Sequence, residues 1–282
     1  MKTPFIIAEI SGNHLGSINR ALDLIDAAAH AGADAVKLQI FTPEQMADAD
    51  SVIADGPWAG KSMVELYREI HTPREWVPIL FERARKNGIT AFASVFHPED
   101  VDFMETHNCP IYKISSFEMT DTSLIEYAAA TGKPIIISTG MGSQQEIIAA
   151  VWAAYRGGCS DITLLRCTSA YPAPIEDANL ATMQDMAGWS GADVGLSDHT
   201  EGHGCAVAAT VLGAAVIEKH LTLSRACGGQ DAAFSAEPHE FEEMVKACLQ
   251  AAVAIGHVRY GPSPSEAAHV ALRRMPGGKR GD

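Results

Sequence analysis

The sequence predicts an α/β protein folded as a (β/α)8 TIM barrel, and three observations carry that prediction. Eight short apolar or β-branched runs recur along the chain, alternating with helical patterns. The runs are apolar throughout rather than alternating in and out, as parallel strands buried on both faces are. The alternation fills about 255 residues, close to the ~250 typical of such a barrel. A doubly wound open sheet is the competitor, but no G-x-G-x-x-G follows the first strand.

The predicted strands, in order, are Phe5–Ile10, Ala35–Ile40, Thr90–Ser94, Ile111–Ile114, Pro134–Ser138, Ile162–Leu165, Val194–Leu196 and Ala215–Lys219. Helical patterns lie over Asn19–Ala31, Pro73–Lys86, Ser123–Ala130, Gln144–Tyr155, Leu180–Met186, His203–Leu212 and Phe241–Ala254. Thr72-Pro73-Arg74-Glu75 and Ser143-Gln144-Gln145-Glu146 have capping-box form, the first with Pro at the first helical position. Gly32, Gly88, Gly132 and Gly213 stand where helix C-caps belong. Phe41–His71 is an excursion after the second strand, with a helix near Lys61–Ile70; loops of that length are usually functional. Residues 1–260 form the barrel domain, and 261–282, rich in Gly, Pro, Ser and Arg, read as a docked or disordered C-terminal extension.

Composition narrows the function. With 47% hydrophobic and 20% charged residues, the 282-residue chain is neither disordered, collagenous nor a coiled coil. No apolar run approaches the ~20 residues that cross a bilayer, and Glu9 interrupts the first apolar stretch too early for a signal-peptide core. The net charge of −14 disfavours nucleic acid and anionic membranes as partners, though a few local cations can still bind an anionic small molecule. Six cysteines without a C-x-x-C read as reduced thiols of a cytoplasmic protein.

Polar residues at the C-terminal ends of barrel strands read as an active site, and nearly every strand here delivers one. Lys37 and Lys113 lie within apolar strands, where lysine is rarely fully buried without a partner. With Ser94, Ser116, Ser138 and Ser197 they could cradle a phosphate and a carboxylate; alternatively each lysine pairs with a neighbouring Glu. His199 and His220 end the seventh and eighth strands, and two neutral imidazoles at a barrel mouth can hold a metal that polarises a carbonyl. His203, four residues after His199, would share a helix face with it, but Gly202 weakens that helix. Completion by oxygen ligands favours Mn2+ or Mg2+ over structural zinc. Glu9, at the end of a buried strand, suits general acid–base work, or pairs with Lys37 or Lys219. Ser138–Ser143 is a Gly-containing turn into a helix N-terminus, and Arg225–Asp231 a Gly-rich loop able to close over a substrate.

These residues, in this order, resemble the sialic acid synthase (nonulosonic acid synthase) family. The matching stretches are AEISGNHLGS (8–17), GADAVKLQ (32–39), YKISSFEMTD (112–121), KPIIISTGM (133–141), CTSAYPAP (167–174), GLSDHT (195–200) and IEKHLT (217–222). Residues 58–76, 228–241 and Ser169 look most like the pseudaminic acid synthase branch. The resemblance implies condensation of phosphoenolpyruvate with an N-acetylated amino sugar, giving a nonulosonic acid and phosphate. It implies a divalent metal, usually Mn2+, on His199 and His220. Lys37, Lys113, Ser116, Ser138 and Ser197, with Ser94 nearby, would bind phosphoenolpyruvate, and Glu9 would handle protons. Gln39, Glu118, Tyr171 and Asp231 would face the sugar. The family works as a homodimer in which a C-terminal antifreeze-like domain caps the partner's barrel, and this chain stops near where that domain would begin. Two other readings are a Schiff-base aldolase using Lys113 or Lys37, and a barrel that binds a sugar without turnover.

Overall fold

The computed structural model describes residues 3–48, 51–53 and 60–274. Eight parallel strands close into a barrel in chain order, with β8 paired back onto β1. β1 (Phe5–Glu9) leads through a short 3-10 turn into α1 (Ile18–His30), then β2 (Ala35–Ile40). The excursion carries α2 (Pro43–Met46) and α3 (Met63–Ile70), followed by α4 (Val77–Lys86) and β3 (Thr90–Val95). Thereafter each strand has its helix. These are α5 (Pro98–Glu105), β4 (Tyr112–Ile114), α6 (Thr122–Ala129), β5 (Ile135–Ser138) and α7 (Gln144–Arg156). They continue with β6 (Ile162–Cys167), α8 (Ala181–Ser190), β7 (Asp193–Asp198), α9 (Gly204–Val211), β8 (Val216–His220) and α10 (Pro238–Ile255).

The core has two shells because each strand is covered on both faces. β1 buries Ile6, Ile7 and Ala8 alike, which is why its sequence shows no alternation. The helices bury one stripe against the strands: in α1 it is Ala21, Leu24, Ile25 and Ala28, spaced for one face of a 3.6-residue period. The Ser17 side chain caps α1 by accepting from Arg20 N–H, and Ser143 and Glu146 form the expected reciprocal box on α7. Gly32, Gly88, Gly132 and Gly213 all have the left-handed backbone of a helix terminator.

Three local expectations need correction. Thr72–Glu75 does not cap a helix: Pro73 has an extended ψ of 131°, residues Arg74–Trp76 form a 3-10 turn, and α4 starts only at Val77. Helix α5 was not expected between the third and fourth strands. It is capped by an unusual N-cap, His97, whose ring nitrogen accepts from Glu99 N–H while Asp100 reaches back. Leu180–Met186 extends to Ser190, where Gly191 ends it with φ 70°. Parts of the excursion and residues 275–282 of the C-terminal extension lie outside the described residues; residues 261–274 carry a 3-10 stretch, Ala267–Leu272, and are largely exposed.

Candidate active site

The barrel's register brings the polar strand ends together. Gln39 on β2 lies level with Ser94 on β3, and Ser94 with Lys113 on β4. On the far side Cys167 on β6 is level with Ser197 on β7, and Ser197 with Glu218 on β8. Glu9 joins the two sides, in register with Lys37 and with His220. The two-residue repeat of a strand turns Lys37 with Gln39, Ser197 with His199, and Glu218 with His220 to one face. Lys219 and Asp198, of opposite parity, pair with each other at 2.9 Å instead, so Lys219 is not the partner of Glu9.

One cavity of ≈ 210 Å³ opens at this end. Its wall includes both lysines and both histidines, Ser94, Ser116, Ser138 and Ser197, and also Gln39, Glu118, Tyr171 and Asp231. Glu9 is outside that wall. It is fully buried, with Oε1 accepting from the Ser11 N–H (2.6 Å) and hydroxyl (2.8 Å), and Oε2 lying 2.7 Å from Lys37 Nζ. Glu9, for which an acid–base role is expected, thus lies against Lys37, and its Oε2 makes no hydrogen bond beside that ion pair. Glu218 is the strand-end carboxylate that does line the cavity.

The hydrogen-bond inventory of the floor is incomplete in a telling way. Lys37 Nζ is 2.7 Å from Glu9 and 3.0 Å from Glu218 Oε1, which also accepts from Ser197 Oγ at 3.1 Å. Lys113 Nζ donates to Ser138 Oγ at 2.6 Å and to the Ile114 carbonyl at 3.0 Å. It has no carboxylate within ion-pair distance among the described residues. An ammonium has three donors, so each lysine keeps one N–H to spare. The buried Ser94 hydroxyl has no partner at all. Unspent donors buried together call for an anionic guest.

Electrostatics agree. Burial pushes Lys37 down to about 8, Glu218 raises it, and Lys113 lowers it further. Burial would raise Glu218, yet the charges of Lys113 and Lys37 hold it well below the usual carboxylate range. Burial raises Glu118 and Asp231 above theirs.

A profile of the family described as the NeuB family matches residues 24–260. The chain belongs to the NeuB family. Among curated proteins it is 44% identical over 260 residues to the pseudaminic acid synthase of Helicobacter pylori, covering 91% of this chain and 76% of that one. It is 35% identical over 282 residues to the N,N'-diacetyllegionaminic acid synthase of Campylobacter jejuni, covering 97% and 84%. The crystal structure of N-acetylneuraminic acid synthetase from Leptospira borgpetersenii, in complex with citrate, superposes with a TM-score of 0.86. There the identity is 32%, with 95% of this chain and 90% of that one covered.

At the histidine end of this NeuB barrel the rings of His199 and His220 are 5.2 Å apart. His199 Nδ1 lies 3.0 Å from the Thr168 carbonyl, which only accepts, so Nδ1 carries a proton; burial lowers His199, but Cys167 and the Thr168 carbonyl outweigh it and raise it above the usual imidazole range. His220 is held well below the usual imidazole range by burial, His199 and Lys37, and is neutral at pH 7. Its Nδ1 makes no hydrogen bond and is 3.8 Å from Asp231 Oδ2. With Nε2 of both rings free of a proton, two imidazole donors would fit a divalent ion. Among the described residues no group of three or more His, Cys, Asp or Glu is arranged to hold one, so substrate and water would have to complete the shell. Phe234 packs against both rings, with centroids 6.0 Å from His199 and 4.9 Å from His220, and Tyr171 packs against His199 at 4.6 Å and Phe234 at 5.0 Å.

Several wall residues were not anticipated. Cys167 lies 3.8 Å from His199 Nδ1; burial would raise its thiol, but His199, Ser116 and Lys113 bring it to about 7. The excursion supplies Phe41, Met46, Tyr67 and Ile70, which with Phe96 and Phe117 make an apolar side opposite the floor. Phe41 anchors it with edge-on contacts to Tyr67 and Phe96. Gly12 lets α3 approach, since a Cβ there would lie 2.8 Å from Ile70 Cβ. Gly12→Ala is expected to push α3 off this wall at a stability cost of about 1–3 kcal/mol. Acceptor KM should rise severalfold in parallel, read by chemical denaturation and steady-state kinetics; unchanged values of both would show that α3 does not close the cavity.

Proposed function

We propose that this protein condenses phosphoenolpyruvate with an N-acetylated amino sugar, giving a nonulosonic acid of the pseudaminic type and phosphate. The observation that carries the reading is the floor of spare donors on Lys37, Lys113 and Ser94, joined by the Ser138 hydroxyl, which accepts from Lys113 and keeps its own proton. Such a set matches a small molecule bearing both a phosphate and a carboxylate. The relatives named as synthases of three nonulosonic acids support the same chemistry.

In this reading Lys113, Lys37 and the serines fix the donor on the floor. Gln39, Glu118, Tyr171 and Asp231 hold the open-chain sugar above it, with its aldehyde toward the histidines. A divalent ion, Mn2+ or Mg2+, carried by His199 and His220 would polarise that aldehyde when bound. The donor's methylene carbon attacks the aldehyde carbon, forming the new C–C bond, and the aldehyde oxygen takes up a proton. Water adds to the carbon bearing the phosphate, loses a proton, and the C–O bond to phosphate breaks. The lysines stabilise the charge on the phosphate and carboxylate throughout. Glu118 and Asp231, whose carboxyls burial biases toward the protonated form, are the wall groups available for proton exchange with the acceptor.

The protein would act in the cytoplasm, a setting that its free thiols and lack of disulfides among the described residues suit. It would act as a homodimer, with exposed Phe117, Met141 and Ile175 on the loops after β4, β5 and β6 covered by the second copy; a single-chain mass by sedimentation would remove that part. The deciding experiment is mass spectrometry of products from phosphoenolpyruvate and a panel of N-acetylated hexoses. Turnover should cease with chelator and return with Mn2+. Borohydride trapping of pyruvate on a lysine would replace this mechanism with Schiff-base chemistry.

A further inference from the structure

Ser11 is the least economical residue of the site. It is buried, with a φ of 37° that side chains other than glycine rarely take. A glycine would fit the turn without strain, so the hydroxyl itself must be of use. It donates to Glu9 Oε1 at 2.8 Å and accepts from Gln39 Nε2 at 2.9 Å. The Asp231 carboxyl also neighbours the Ser11 hydroxyl and the Gly12 N–H.

Those contacts fix a polarity. A hydroxyl has one proton, and Glu9 Oε1 takes it at 2.8 Å. Toward Gln39, therefore, Ser11 can only accept. The Gln39 amide must turn its NH2 to Ser11 and keep its carbonyl oxygen for the cavity it lines. The other side of Ser11 needs no hydroxyl to hold Glu9, because its backbone N–H already reaches Oε1 at 2.6 Å.

We propose that Ser11 is a positioning residue that sets the orientation of the Gln39 carboxamide, so that the cavity offers the sugar a hydrogen-bond acceptor there and selects a hydroxyl or amide N–H at the matching position. The proposal rests on the synthase reading for its substrate, but the orientation of Gln39 stands without it.

The test is Ser11→Gly, with Ser11→Ala beside it to keep the Cβ. The glycine variant loses the hydroxyl, keeps the N–H to Glu9 and relieves the backbone. Its melting temperature should match or exceed that of the wild type. Acceptor KM should rise about tenfold, the loss of one oriented hydrogen bond with its partner left unpaired, while the KM for phosphoenolpyruvate stays within about twofold. Ser11→Ala should show the same kinetic split with a lower melting temperature. An unchanged acceptor KM, or equal rises for both substrates, overturns the proposal. A second measurement needs no turnover. In 15N spectra the Gln39 side-chain NH2 pair, assigned by its loss in Gln39→Glu, should exchange slowly in the wild type and shift and lose protection in Ser11→Gly. An NH2 pair indifferent to Ser11 refutes the proposal even if the wild type proves inactive on every sugar tried, a result that would by itself sink only the synthase reading.

Discussion

Lys113→Met should leave a folded protein whose kcat/KM for phosphoenolpyruvate is lower by about thirtyfold to a few thousandfold. Lys113 is 1% exposed and its Nζ is held by Ser138 Oγ and the Ile114 carbonyl, neither of which neutralises it. Lys37, by contrast, is bracketed by Glu9 and Glu218. The charge of Lys113 is thus the one less tied up in contact pairs and the more available to a guest. A buried, hydrogen-bonded charge pair loses about 2–5 kcal/mol or more when one partner is truncated, and each 1.4 kcal/mol is a factor of ten. Methionine fills a similar volume without a charge, and removing a buried ammonium relieves its desolvation, so the melting temperature should change little. Steady-state kinetics and circular dichroism separate the two effects. Near-normal kcat/KM in a folded variant would mean that the donor does not bind on this floor.

Most of the fold was legible in the sequence, and so were the polar residues of the cavity, for one physical reason. A charge or a row of hydroxyls inside an apolar strand is costly without a partner, so Lys37, Lys113 and His220 stood out against their neighbours. The apolar wall did not. Phe41, Met46, Tyr67, Ile70 and Phe96 look like any core residues, and only the seating of α3 on Gly12 makes them a wall. Helix α5 escaped because it buries only Asp100, Val101 and Met104 and starts on a histidine cap; Pro98 followed by two acids was the available signal. The Thr72 box misled because its pattern also fits an extended Pro73. Glu9 was placed on β1 with two readings open, proton transfer or pairing with a lysine, and the structure shows the Lys37 pair at 2.7 Å, which no strand pattern could have chosen. The strain at Ser11 left no trace in the sequence at all.

Glu218→Gln should be costly in a different way, by moving the pH range over which the donor binds. Glu218 Oε1 takes hydrogen bonds from Lys37 and Ser197, and its negative charge is the chief influence raising the pKa of Lys37 against burial and Lys113. With that charge in place Lys37 titrates at about 8. Below that value the ammonium is present and the anionic donor binds; as pH rises through it the proton leaves and KM for phosphoenolpyruvate climbs. Glutamine keeps the shape but removes the charge that raises Lys37, so the same climb should begin at a lower pH, within the neutral range. The linkage to stability has a definite sign. Because the folded pKa of Lys37 lies below its ordinary 10.5, the unfolded chain binds more protons between the two values, and this group's contribution to folding grows as pH rises across that window. Breaking a buried pair by removing one partner costs about 3–5 kcal/mol, so Glu218→Gln should also melt earlier at pH 7. Saturating inorganic phosphate should restore part of that loss by binding only the folded state. A KM–pH curve that coincides with that of the wild type would show that Lys37 is not the cation holding the donor.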